Sequence, residues 1–214
     1  MIVPSMNLAE IKREINRDMP AVDRNISQQV KQLRKSWCFR FSKDHHFAKD
    51  YYSTKKNHWI FFHHFSSKET VSYAVVYFYT EAGITAMSRL SMMNDYVLMF
   101  NGHFLQRYNE RLNLQLVKPE DILKHYCLNN QNFVFETSRE FESKNMNVFS
   151  VLPSGIALGF RNDEDRVIQF KTFLSENMLY ANQKEKVIHI RKTEELNLKR
   201  REEARKLLAL FNTM

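Results

Sequence analysis

Apolar residues recur along this chain at two different periods, and the switches between them divide it into elements. Leu8, Ile11 and Ile15 share one helical face, and Val22, Ile26, Val30 and Leu33 share another. Asn7 stands where a helix cap belongs, and Pro20 separates the two runs. The spacing therefore predicts helices over 7–18 and about 22–36. Residues 38–56 carry no clear period and read as a loop. Trp59 to Phe65 reads as a strand, Ser66 to Glu69 as a turn, and Val71 to Tyr79, rich in aromatic and β-branched residues, as the strongest strand of the chain. After the break at Gly83, Ile84 to Leu90 and Tyr96 to Phe100 give two weaker strand patterns.

Helical spacing returns over 102–112 and again over 119–128. The second of these opens with Pro119 in its first turn and with Glu120 and Asp121 at the positive end of the helix dipole. Strand patterns follow at about 133–137, 147–152, 155–160 and 166–173. Pro153-Ser154-Gly155 and the run from Arg161 to Asp165 supply turns between them. Residues 174–182 read as a short helix, and 186–190 fit neither period cleanly. Thr193 is placed to cap a final helix that ends in Leu207, Leu208, Leu210 and Phe211.

The fold class implied is α+β. Two helices pack on an antiparallel sheet made largely from 133–173, with added N-terminal helices and strands and a basic C-terminal helix. In this reading residues 1–182 form one domain: a helical N-terminal part (1–56), added strands (57–100) and a core (101–182). Residues 183–214 form a helical tail.

Composition narrows the picture. The 214 residues are 43% hydrophobic with only four Gly and four Pro, which suits one packed core and argues against a loop-built or disordered chain. The 17 Phe and 9 Tyr point to an aromatic core. A net charge of +8 and a pI near 9.4 favour an anionic partner, RNA or DNA first among them. The positive charge gathers at the ends: ten Lys/Arg against six Asp/Glu in 1–50, and nine against five in 184–206. Cys38 and Cys127 sit in no CxxC or metal-ligand pattern, so two free thiols in a reducing compartment are expected. With no leader-like segment and no apolar run near the roughly 18 residues of a membrane span, the expectation is a cytoplasmic protein that does not engage a membrane.

Chemistry is hinted at in one place. His103, Arg107 and Arg111 lie four residues apart within Asn-Gly-His-Phe-Leu-Gln-Arg-Tyr-Asn-Glu-Arg-Leu. At 100° per residue they fall within about 80° of helix surface, beside an apolar arc of Phe104, Leu105, Tyr108 and Leu112. A neutral imidazole can move a proton, and two guanidiniums can grip a phosphate. The plain alternative is a solvated helix flank with Arg107 paired to Glu110 or Glu136.

The pattern around this stripe resembles the small toxin-like domains of the barnase–EndoU–colicin–RelE ribonuclease class. The residues that carry the resemblance are His103, Arg107, Glu110 and Arg111 on a helix, Glu120-Asp121-Ile122 opening the next, and a meander from Phe133 to a strand containing Thr172. It covers residues 103–173, about a third of the chain. The resemblance implies metal-independent cleavage of RNA with no cofactor. His103 would be the general acid or base, Arg107 and Arg111 would hold the phosphate, and Thr172 would donate to a phosphate oxygen. The substrate's own 2′-hydroxyl would be the nucleophile. It also implies a possible antidote protein as partner. Strand alternation in 166–173 puts Ile168, Phe170 and Thr172 on one face.

Other signals are weaker. His45, His46, His58, His63 and His64 invite a metal reading, but His63 and His64 point to opposite faces of a strand, and no HExxH or Cys/His spacing is present. No metal is therefore expected. Ser154 in Pro-Ser-Gly lacks the context of a nucleophile elbow, and there is neither GxGxxG nor P-loop. A non-catalytic module that binds nucleic acid or an acidic partner through its basic ends, with a structural stripe, is the competing reading.

Overall fold

The computed structural model describes residues 1–36, 45–65, 70–90, 96–130, 134–139 and 145–211. Within them β1 (His45–Tyr52), β2 (His58–Phe65), β3 (Thr70–Thr80), β4 (Gly83–Leu90) and β5 (Tyr96–Phe100) form one antiparallel meander. A second meander is made of β6 (Val134–Arg139), β7 (Asn145–Leu152), β8 (Gly155–Asn162) and β9 (Val167–Ser175). The two join through a parallel contact running from Val97 opposite Val167 to Phe100 opposite Phe170. The result is one sheet in the order β1-β2-β3-β4-β5-β9-β8-β7-β6. The α+β class holds, and the antiparallel sheet expected from 133–173 is one half of a larger mixed sheet.

Period-two patterning sends alternate residues to two cores. On one face Ile60, Phe62, Val75, Tyr77, Ala86 and Leu98 meet Phe104, Leu105 and Tyr108 of α2 (Gly102–Arg111) and Ile122, Leu123 and Tyr126 of α3 (Pro119–Asn129). On the other face Trp59, Phe61, Val76, Met87 and Val97 meet Ile11, Ile15 and Val22 of α1 (Leu8–Ser36). Farther along that second face, Val151 and Ile156 meet Val187 and Ile190 of α4 (Ala181–Phe211). The basic first and last helices thus lie on one side of the sheet, and α2 and α3 lie on the other.

Three expectations are corrected. The two N-terminal helices are one. α1 runs through Pro20, which removes one backbone bond without ending the helix. Its inner face is held by tertiary packing and by a buried carboxylate: Asp18 accepts from Asn57 Nδ2 at 2.7 Å and from Trp59 Nε1 at 3.1 Å. Asn7 does cap α1, in a reciprocal box in which Asn7 Oδ1 accepts from the Glu10 amide and Glu10 Oε2 from the Asn7 amide. Second, the segment read as loop up to residue 56 contains β1. Its alternation is blurred because it is an edge strand, with exposed residues on both faces. Third, 174–182 holds only a 3-10 turn at Glu176–Met178, and α4 starts at Ala181, so Thr193 lies inside that helix and donates back to the His189 carbonyl.

Cys127 is a buried free thiol whose pKa burial drives upward. Cys38, Phe133 and the 66–69 turn lie outside the described residues, as do the side chains of Leu207, Leu208, Leu210 and Phe211. Among the described residues no helix is long and apolar enough to cross a membrane.

Candidate active site

α2 begins where the sequence places it. Asn101 Oδ1 accepts from the Phe104 amide at 2.8 Å, the bond of a side-chain N-cap. Gly102 is required on steric grounds, because a Cβ there would stand 2.1 Å from the Ala82 carbonyl oxygen in the β3–β4 turn. The helix is then fixed in rotation by its buried arc. Phe104 stacks on Phe170 at 5.6 Å and meets Tyr126 edge-on at 5.2 Å, while Tyr108 meets Phe173 at 5.0 Å. Each fully buried aromatic of this kind contributes roughly 1.5–3 kcal/mol. With that arc inward, the His103–Arg107–Arg111 flank faces outward, beside β9.

The three stripe residues have different surroundings. His103 is exposed and makes no hydrogen bond or ion pair with the described residues. Arg107 pairs with Glu110 at 3.0 Å, and their side chains remain 43% and 44% exposed. The other Glu110 oxygen takes the Gln106 amide at 2.9 Å. An ion pair this open is weak and leaves the guanidinium able to exchange partners. Glu136, the other partner considered for Arg107, pairs with Lys186 instead.

Arg111 is more firmly held. Its Nη1 donates to Thr172 Oγ1 at 3.2 Å and to the Phe173 carbonyl. The reason lies in the topology. β5 pairs with β9 only as far as Phe170, so β9 beyond that point is laddered on its β8 side alone. α2 follows β5 in the chain and packs over this part of β9, where Arg111 donates to the Phe173 carbonyl.

Thr172 arrives there by a route that alternation did not foresee. The β8–β9 register slips between Leu158 and Gly159, so that Gly159 faces Phe170, Leu158 faces Thr172, and Lys171 has no opposite number. This bulge breaks the expected run of Ile168, Phe170 and Thr172 on one face. Phe173, not Thr172, is the next residue into the α2 core. Gly159 permits the bulge, since a Cβ on it would lie 2.0 Å from the Gln169 carbonyl oxygen.

A polar chain that the sequence did not disclose runs beneath the C-terminal half of α2. Ser154 Oγ donates to Asn130 Oδ1 at 2.7 Å, and Asn130 Nδ2 donates to the Tyr108 hydroxyl at 3.3 Å. That hydroxyl lies 3.0 Å from His125 Nδ1. The Tyr108 hydroxyl thus bridges the Asn130 side chain and the His125 ring. Burial lowers the His125 pKa and keeps the ring neutral. No spacing in the sequence could have linked positions 108, 125, 130 and 154. Ser154, set aside as a nucleophile, has this structural use.

The clustered histidines divide as strand alternation requires. His63 is buried on the α1 side, with Nδ1 2.8 Å from Ser72 Oγ and Nε2 3.3 Å from Gln29 Oε1. His64 lies on the other face beside His46. Among the described residues no three His, Cys, Asp or Glu side chains converge on one point.

No family model matches this chain, and neither a curated protein nor a solved structure does.

Proposed function

We propose that the protein is a metal-independent ribonuclease acting at the outer flank of α2. One observation carries this reading. Arg111 and Thr172, 61 residues apart in the chain, are hydrogen-bonded beside the helix that presents an exposed His103 and a half-exposed Arg107. In the proposed reaction the 2′-oxygen of a ribose attacks the adjacent phosphorus while His103 takes the hydroxyl proton. The bond from phosphorus to the 5′-oxygen breaks, and that oxygen takes a proton from water. The products are a 2′,3′-cyclic phosphate and a 5′-hydroxyl. Arg107, released from Glu110, holds the non-bridging oxygens as charge grows on them, and Arg111 with Thr172 forms the end wall of the site.

The test is cleavage of varied RNAs by the full chain. His103→Ala and Arg107→Ala should each lower the rate by about a hundredfold. Chelator should change nothing, and DNA, lacking the 2′-hydroxyl, should survive. Wild-type protein that leaves every RNA intact, or His103→Ala protein of full activity, removes the reading.

A specific observation favours the alternative of a non-catalytic nucleic-acid-binding module: both guanidiniums already have partners, Arg107 in Glu110 and Arg111 in the Phe173 carbonyl. RNA binding without cleavage, insensitive to His103, is its signature.

A further inference from the structure

We propose that His46 and His64 form a two-histidine site for a divalent transition-metal ion of the Cu²⁺, Ni²⁺ or Zn²⁺ class, clipping the edge strand β1 to β2. The two residues are direct cross-strand partners. Both side chains leave the sheet on the α2–α3 side, because Ala48 and Phe62, two residues along on each strand, pack into that core. His64 Nδ1 stands 2.9 Å from His46 Nδ1 and 3.1 Å from its Nε2, with ring centroids 4.1 Å apart.

Two imidazole nitrogens bound at about 2.0–2.1 Å stand about 2.9–3.4 Å apart. His64 Nδ1 is nearly equidistant from both nitrogens of the His46 ring, so it lies over that ring's face, and turning the His46 ring edge-on brings one nitrogen of each side chain to a shared ion. Imidazole is a favoured ligand for Cu, Ni and Zn. His46 is exposed and His64 half-buried, so an ion can reach them with water still attached. Among the described residues no third His, Cys, Asp or Glu side chain joins them.

The function of such an ion would be mechanical. β1 ends the sheet and is paired on one side only. An ion that binds both strands in the native state, and neither as a pair in the unfolded chain, stabilises the fold in proportion to its occupancy. This site is separate from the α2 flank, where the proposed cleavage uses no metal. The competing account of the same geometry is a plain N–H···N hydrogen bond between the rings, which predicts no response to metal.

The experiment titrates metal-free full-length protein with Cu²⁺, Ni²⁺ and Zn²⁺, reading calorimetry and thermal unfolding. One equivalent should bind, Tm should rise, and the paramagnetic resonance of the Cu²⁺ form should show coupling to two imidazole nitrogens. His46→Ala and His64→Gln, each checked for native circular dichroism, should each weaken binding by at least about tenfold and abolish the Tm rise. His189→Gln, on α4, should leave both intact. No binding by the wild type, or binding that survives both the His46 and the His64 substitution, overturns the proposal.

Discussion

Arg111 and His103 differ by two turns of one helix, and the difference separates structure from chemistry residue by residue. Truncating Arg111 removes the side-chain donor to the Phe173 carbonyl and to Thr172 Oγ1. Arg111→Ala should therefore lose about 1–3 kcal/mol in urea unfolding. Arg107→Ala should change stability by less than about 0.5 kcal/mol, because its partner Glu110 is solvated. Equal midpoints for the Arg111→Ala and wild-type proteins would remove this structural role. His63 behaves differently again. Burial, with Lys49 nearby, pulls its pKa from 6.5 down to about 4, so the native ring stays neutral where the unfolded ring takes up a proton. The unfolded state then binds the extra proton between pH 6.5 and 4, and stability falls as pH drops through that window, by up to about 1.4 kcal/mol per pH unit. His63→Gln should be less stable at pH 7 yet show a flatter acid slope, measured by denaturant midpoints at each pH. An unchanged slope would assign acid sensitivity to other groups.

Among the elements, those the sequence made legible are the ones whose two faces meet different surroundings. β3 and β5 and both central helices lie where the hydrophobic pattern puts them, because alternate positions feed two cores or because one helical arc is buried. β1 was missed for the converse reason: an edge strand with solvent at both faces has little alternation to show. Pro20 misled because a local rule was set against long-range packing, and the packing of Ile11, Ile15 and Val22, with the Asp18 bonds, prevailed. The bulge at Gly159 was invisible because it is a property of two strands together. Glycine at that point was the available clue. Gly102→Ala tests the most crowded junction of the site: its Cβ would press on the Ala82 carbonyl, and α2 cannot shift without moving the Phe104 stack. A loss of about 1–3 kcal/mol is expected, with lower cleavage even at temperatures where the variant is folded. Unchanged stability would mean that α2 tolerates a different starting point.

At the scale of the molecule, charge and candidate chemistry lie on opposite sides of one sheet, and this gives the sharpest test of where nucleic acid sits. α1 exposes Arg13, Arg17, Arg24, Lys31 and Lys35, and α4 exposes Lys184, Lys192, Lys199 and Arg200, all on elements packed behind the sheet. His103 and Arg107 stand on the helix in front. If the basic helices make the phosphate contacts, affinity for RNA falls steeply with salt, and each neutralised contact reduces the slope of log K against log[salt] by about one. Replacing Arg13, Lys31 and Lys35 with Gln should then flatten the slope by about three while leaving cleavage at saturating RNA intact. Replacing His103 should lower cleavage by about a hundredfold while leaving the slope untouched. The two results together describe an enzyme that captures RNA behind the sheet and cuts a strand led round to the front. A slope that depends on Arg107 and not on α1 places the whole interface at the stripe and makes the basic face incidental. No measurable RNA affinity at low salt, from folded protein, ends both the catalytic and the binding proposals.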